Sequence, residues 1–259
     1  MHILVTNDDG IYAPGLMALA QAMRPLGDVT VFAPDRNWTA CGHVKTLDKP
    51  LRVRDITLAD NSPALTTDGA PSDCVALALL GVLSQPVDLI VAGINSGENI
   101  GHDLTYSGTV TAAMEAAIWG LPGVAVSLQS SEHGAGKMDY APAAQIAQQI
   151  VRRVLHDGLP KGILLNVNVP CLPQEKIRGI QVTRQGLRIY NDALVKRLDP
   201  RSRPYYWIGG EAPTGVEEDG TDYGAIMSGH VSVTPIQLDL TAYTFLDTLR
   251  GWTSTWEQK

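Results

Sequence analysis

Two adjacent carboxylates, Asp8 and Asp9, stand in the stretch VTNDDG, directly after the apolar residues Ile3, Leu4 and Val5. Neighbouring side chains on a strand point to opposite faces, so both acids serve one site only if the strand ends near Asn7 and Gly10 permits a sharp turn. Two carboxylates held close together repel, and the pKa of one rises unless a cation neutralises them. A hard divalent ion such as Mg²⁺ or Mn²⁺ is the simplest such cation, because it favours carboxylate, hydroxyl and amide oxygens. Two further oxygen donors lie at comparable places: Asn95 closes the apolar run VDLIVAGIN, and Thr39 sits in the polar loop DRNWTACGH. Taken singly, each residue also reads as ordinary structure: an Asp-Gly turn, a turn asparagine, a loop threonine. Convergence at one rim is the argument for a metal site of Asp8, Asp9, Thr39 and Asn95.

A second cluster, TYSGTV, suits an anion. Ser107, Gly108 and Thr109 would bring free backbone N–H groups and two hydroxyls to a helix N-terminus. The same residues equally describe an ordinary Ser or Thr N-cap. Gly97 and Gly101 flank Glu98 and Asn99 and allow the backbone to approach a ligand closely; Asn99 is a further candidate phosphate contact. His43 and His102 lie in the rim loops, and His43 is the candidate proton donor. No G-x-G-x-x-G, P-loop or G-x-S-x-G stretch occurs, so a dinucleotide cofactor, a P-loop nucleotide site and a serine-hydrolase elbow are all unsupported.

These residues need elements that bring them to one edge. Strand and helix patterns alternate through the first half. Ile3–Val5 reads as a strand, PGLMALAQAMR as a helix, DVTVFAP as a strand, then a hairpin near residues 51–66 and the helix PSDCVALALLGVL. VDLIVAGIN, GVAVSL and GILLNVNVP read as strands, with GTVTAAMEAAIWG and APAAQIAQQIVRRVLHDG as helices. This alternation predicts an α/β, Rossmann-like, doubly wound and mainly parallel sheet, whose ligands bind beyond the carboxyl ends of the strands. After about Pro170 the pattern turns to short strands, among them GIQVTRQG, YYWIGG and HVSVTPIQLDL, and helical spacing returns only in AYTFLDTLRGW. Residues 1–170 therefore read as the catalytic core, and residues 171–259 as a β-rich extension suited to subunit contact.

The whole-chain numbers narrow the function classes. With 259 residues and a net charge of −7, the chain is unsuited to nucleic acid or anionic membrane held by broad electrostatics. Its three cysteines form neither a zinc pattern nor a disulfide framework, and the opening MHILVTNDDG has no basic n-region. The longest apolar stretch, near VALALLGVL, is too short to span a bilayer. A cytoplasmic location is the expectation.

At these clusters the sequence resembles the SurE family, the survival-protein 5′-nucleotidases. The resemblance runs in collinear order through ILVTNDDGIYAPGL, VFAPDRNWTACGH, DLIVAGINSGENIG, YSGTVTAAMEAAIWGLPGVAVSL, LNVNVP, VTRQG, YYWIGG, GTDYGAI and VSVTPIQLDLT. It implies that Asp8, Asp9 and Asn95 match three ligands of the family's divalent metal. The fourth is ordinarily a serine, and that place here holds Thr39. Ser107, Gly108 and Thr109 match the phosphate-contacting SGT, while Val44 stands where a serine is usual. A Rossmann-like domain with a C-terminal extension exchanged in a dimer or tetramer is also implied.

The resulting expectation is a phosphoric monoester hydrolase. It would use one divalent ion, Mg²⁺ or Mn²⁺, to hydrolyse nucleoside 5′-monophosphates to nucleoside and phosphate. Nucleoside 3′-monophosphates and short polyphosphate are further candidate substrates. Water is favoured over Asp8 as nucleophile, since a carboxylate bound to a cation attacks weakly. A non-catalytic nucleotide sensor and a sugar-nucleotide transferase are the rival readings of the same residues.

Overall fold

Alternation along the first strand sets the architecture. In β1 (His2–Thr6), Ile3 and Val5 enter the apolar cluster on one face of a sheet and Leu4 the cluster on the other, all three fully buried. Such a strand needs a cover on both sides. The computed structural model describes residues 1–130 and 138–253 and supplies that cover. Helices α1 (Pro14–Met23) and α4 (Ala141–Asp157) pack on the Ile3 face. Helices α2 (Pro71–Leu77) and α3 (Gly108–Ile118) pack on the Leu4 face. The outcome is the predicted α/β doubly wound arrangement.

The central strands are β2 (Asp28–Pro34), β4 (Pro63–Thr67), β5 (Leu89–Ser96), β6 (Gly123–Leu128) and β7 (Ile163–Val169), with β3 (Val53–Thr57) at one edge. Strand order from that edge is β3-β4-β2-β1-β5-β6-β7, and all neighbours are parallel except the hairpin β3–β4. The chain moves outward from β1 through β2 to β4, then returns to place β5 on the other side of β1. The switch point of the sheet therefore lies between β1 and β5, and both strands end there at polar residues.

The sheet does not stop near Pro170. The C-terminal segment contributes β13 (Val231–Gln237), antiparallel to β7, and β8 (Ile180–Val182), parallel to β13. Pro235 is tolerated within β13 because β8 pairs only with Val231–Val233, so the proline lies where that side is open. The rest of the segment stands apart. Short β9 (Arg188–Ile189) pairs with β12 (Thr214–Gly215), and β10 (Asp192–Leu198) forms a long hairpin with β11 (Pro204–Gly210). Both hairpin strands are exposed throughout, including Leu194, Tyr206, Trp207 and Ile208. Helices α5 (Asp222–Met227) and α6 (Leu246–Thr253) complete the described chain.

Local deviations from the sequence reading have plain causes. Helix α2 passes at Ala78 into a wider turn, because Gly81 leaves helical geometry at φ +118°. On α3, Val110, Ala113 and Ala117 face the core as their spacing predicts, whereas Ile118 is exposed at the last turn. No helix among the described residues is long and apolar enough to cross a membrane.

Candidate metal and phosphate site

The loop after β1 turns because Asn7 closes it. Its amide nitrogen donates to Gly10 O at 3.0 Å, and Gly10 N–H donates back to Asn7 Oδ1 at 3.2 Å. Gly10 adopts φ +102°, a conformation that favours glycine, and sits against the Arg36 backbone. The strand has thus ended before the two acids, and both carboxylates stay at the switch point.

Asp8 is buried and Asp9 half-buried. Thr109 donates its hydroxyl to Asp8 Oδ1. Asp9 meets the end of β5, where Ser96 N–H lies 3.3 Å from Oδ2 and Ser96 Oγ 3.4 Å from Oδ1. Asn95, the preceding residue, donates its amide nitrogen to Gly97 O at 2.8 Å. That contact fixes the amide and leaves Oδ1 as the open acceptor.

Helix α3 begins against Asp8. Ser107 is its N-cap, and its hydroxyl accepts from Val110 N–H at 3.0 Å. Gly108 and Thr109 occupy the first two helical positions, whose N–H groups have no intrahelical acceptor. A Cβ on Gly108 would lie 2.6 Å from Asp8 Cβ, 2.9 Å from Asp8 Oδ2 and 3.0 Å from Cys41 Sγ. Only glycine lets the helix start this close to the carboxylate. The helix terminus adds partial positive charge at the same point.

Burial pushes the Asp8 carboxyl up to about 6, offset in part by the Thr109 hydrogen bond and reinforced by the charge of Asp9. Burial also raises Asp9, against the two Ser96 contacts. No cationic side chain eases either acid among the described residues. The thiol of Cys41 is pushed up to about 11 by burial and then by Asp8, so it stays a neutral neighbour. No group of three or more His, Cys, Asp and Glu side chains placed to hold a metal ion occurs among the described residues. A donor set of two uncompensated carboxylates and an open amide oxygen instead suits a hard divalent cation.

The loop 35–46 packs over this point. Trp38 N–H donates to the backbone carbonyl of Asp8 at 2.7 Å, and Thr39 follows one residue after that contact. The Thr39 hydroxyl itself donates to Asn37 Oδ1 at 2.5 Å and is exposed. Further along, His43 Nε2 and Lys45 Nζ each lie 3.0 Å from the carboxylate of Glu115, which also accepts from Trp119 Nε1 at 3.0 Å. Glu115 lies seven residues beyond Gly108, about 10 Å along the helix axis, so the carboxylate that His43 meets belongs to the middle of α3. Burial raises the Glu115 carboxyl, yet the His43, Trp119 and Lys45 contacts outweigh it and bring the pKa down to about 2.

Asn99 is placed differently again. Its N–H donates to Asn168 Oδ1 at 2.8 Å and its amide nitrogen to Ser127 Oγ at 2.8 Å; its carbonyl accepts from Asn166 and Asn168, each at 2.9 Å. These are buried contacts at the carboxyl ends of β6 and β7, and they anchor the loop carrying Asn95 through Gly101. Asp8, Asp9, Asn95 and the Ser107–Thr109 turn are brought together, with Thr39 at their margin. Ser96, Glu115, Asn166 and Asn168 emerge only in three dimensions. Asparagines two apart within the apolar strand LLNVNV were the signal available for the last two.

Comparison with known proteins identifies the relatives of this chain. Residues 3–192 match the family model described as "Survival protein SurE". A protein named 5′-nucleotidase SurE from Chloroflexus aggregans is 51% identical over 257 residues, covering 99% of this chain and 100% of that protein. Its namesake from Herpetosiphon aurantiacus is 53% identical over 93% of this chain and 94% of its own length. Among solved structures, the SurE protein from Aquifex aeolicus superposes with a TM-score of 0.82 at 41% identity, covering 98% of this chain and 100% of that one. A match of this extent, joined to two acids at the switch point of a doubly wound sheet, places the chain in the SurE family.

Proposed function

We propose that this protein is a metal-dependent 5′-nucleotidase, a phosphoric monoester hydrolase converting nucleoside 5′-monophosphates and water to nucleoside and phosphate. One observation carries the reading. Two uncompensated carboxylates and the N-terminus of α3 meet at the switch point between β1 and β5. The relatives named 5′-nucleotidase SurE supply the reaction class.

Asp8, Asp9 and Asn95 would hold one divalent cation, Mg²⁺ or Mn²⁺, with Thr39 completing the set once its hydroxyl leaves Asn37. When bound, that cation supplies Lewis-acid stabilisation of phosphoryl charge and acidifies water. The chain's own groups do the rest. The N–H groups of Gly108 and Thr109, with the Ser107 turn, hold non-bridging phosphate oxygens. The Thr109 hydroxyl fixes the rotamer of Asp8 through Oδ1, and the Asp8 carboxylate accepts the proton of the attacking water. Asn99 contributes through the loop it anchors, and His43, paired with Glu115, would donate the proton that the leaving nucleoside oxygen needs. The exposed hairpin β10–β11 supports a homodimer or homotetramer assembled through the C-terminal extension.

Release of phosphate from a panel of nucleoside 5′- and 3′-monophosphates and short polyphosphate, with Mg²⁺, Mn²⁺ or chelator, tests the reading. Turnover of 5′-monophosphates that needs metal and is lost in Asp9→Asn supports it. Binding without turnover would identify a sensor, and turnover only with an acceptor would identify a transferase.

A further inference from the structure

The segment between β5 and α3, anchored at Asn99 by β6 and β7, is also held by residues from the C-terminal extension. Arg188 in β9 has a side chain only 7% exposed, and its guanidinium meets two carboxylates of that segment. Nη2 donates to Glu98 Oε1 at 3.2 Å, and Nε lies 3.0 Å from Asp103 Oδ2. The second approach is an ion pair without hydrogen-bond alignment, since Nε is buried and has no hydrogen-bond acceptor among the described residues. The Tyr223 ring covers the guanidinium at 5.9 Å from its centroid, and Tyr190 donates its hydroxyl to Asp103 Oδ1 at 2.5 Å. Beside them, buried Asp222 accepts from Gly101 N–H at 2.9 Å and Gly186 N–H at 2.7 Å. Gly101 lies at φ +55°, and a Cβ there would come within 2.6 Å of Gly186 O, so the two segments meet backbone to backbone.

These contacts lead to the phosphate end of α3. The carbonyl of Asp103 accepts from Tyr106 N–H at 3.0 Å and from Ser107 N–H at 3.1 Å. Ser107 in turn caps the helix whose first N–H groups face Asp8. A buried arginine between two carboxylates contributes little net stability compared with an apolar replacement of similar volume. What it does supply is a fixed geometry, because the planar guanidinium fixes both partners at once.

We propose that Arg188 is a positioning residue of the phosphate site. It holds Asp103, and Asp103 sets the turn that aims the Gly108 and Thr109 N–H groups at the substrate. The extension therefore shapes the catalytic rim as well as offering a contact surface. This inference rests on the nucleotidase reading for its substrate, but its central prediction concerns phosphate affinity.

The test compares wild-type protein with Arg188→Met, Arg188→Lys, Asp103→Asn and the double variant Arg188→Met/Asp103→Asn, all loaded with Mn²⁺. Steady-state hydrolysis of a nucleoside 5′-monophosphate, competitive inhibition by inorganic phosphate and calorimetric phosphate binding are measured. In Arg188→Met, KM and the phosphate inhibition constant should rise together by about tenfold to a hundredfold, the range for displaced positioning groups. Arg188→Lys should recover part of that affinity. Asp103→Asn should reproduce the loss, and the double variant should add little to it. Unchanged KM and phosphate affinity in Arg188→Met, with only a lower Tm, would overturn the inference. A fall confined to kcat would do the same. If Arg188→Met does not fold, Asp103→Asn is judged by the same criteria. Should the wild type hydrolyse no nucleoside monophosphate, the nucleotidase reading fails, and calorimetry with inorganic phosphate still decides the role of Arg188.

Discussion

Thr109 donates its hydroxyl to Asp8 from the first turn of a helix that begins against that same carboxylate. One residue thus orients the acid and, in the proposed site, would offer a backbone N–H to the substrate. Thr109→Val keeps the shape and the N–H but removes the hydroxyl. Its kcat/KM should fall by about tenfold to a hundredfold, the value of a hydrogen bond to a charged group. Thr109→Ser should stay within a few-fold of wild type, and steady-state kinetics distinguish the two.

Metal binding is measurable without substrate. Titration calorimetry with Mn²⁺ should give one site per chain, and Asp8→Asn or Asp9→Asn should weaken it by about tenfold or more. Thr39→Ala should weaken it less, and Thr39→Ser should restore it. Equal Mn²⁺ affinity in Asp9→Asn and wild type would remove Asp9 from the site.

Gly108→Ala places a methyl group against Asp8 and Cys41, at distances that require one of them to move. Overpacking of this kind destabilises by about 1–3 kcal/mol. Urea unfolding should record that loss, and phosphate inhibition should weaken as well, because the helix start is displaced.

Glu115 makes the stability of the protein sensitive to acid. Its pKa is lowered from the model-peptide value of 4.5 to about 2 in the folded state. The stabilisation from its contacts with His43, Trp119 and Lys45 is therefore complete above pH 4.5 and is lost as pH falls toward 2. Glu115→Gln should show a smaller drop in Tm across that window than wild type. Parallel curves for the two proteins would count against the assignment.

Asn168 serves Asn99 twice, accepting from its N–H and donating to its carbonyl. Asn168→Ala leaves the buried N–H unpaired and should cost about 1–3 kcal/mol, readable by chemical denaturation. A cost near zero would mean that the loop relaxes to find another acceptor.

The sheet and its acidic turn were legible because their signals are local. Continuous apolar runs ending in NDDG and GIN disclose buried strands whose carboxyl ends share a rim. Asn99 and His43 were harder to read. Both sit in rim loops, but one is bonded to Asn166, Asn168 and Ser127, and the other to Glu115 at the middle of α3. Those partners lie between 28 and 72 residues away in the chain. The reach of Arg188 to Glu98, 90 residues earlier, was equally hidden, since nothing in a basic stretch distinguishes a buried arginine from solvated ones.

The order in which the sheet is assembled has a consequence for synthesis. The partner of β7 on its outer side is β13, which ends at Gln237, so that edge stays unpaired until most of the chain has left the ribosome. During that interval β7 presents open backbone donors and acceptors beside buried-type residues such as Leu164 and Val167. A nascent chain in this state can pair with a strand from another polypeptide before its own β13 has been made. Late closure of one edge makes production of the protein sensitive to translation speed and crowding among chains, quite apart from the stability of the finished fold.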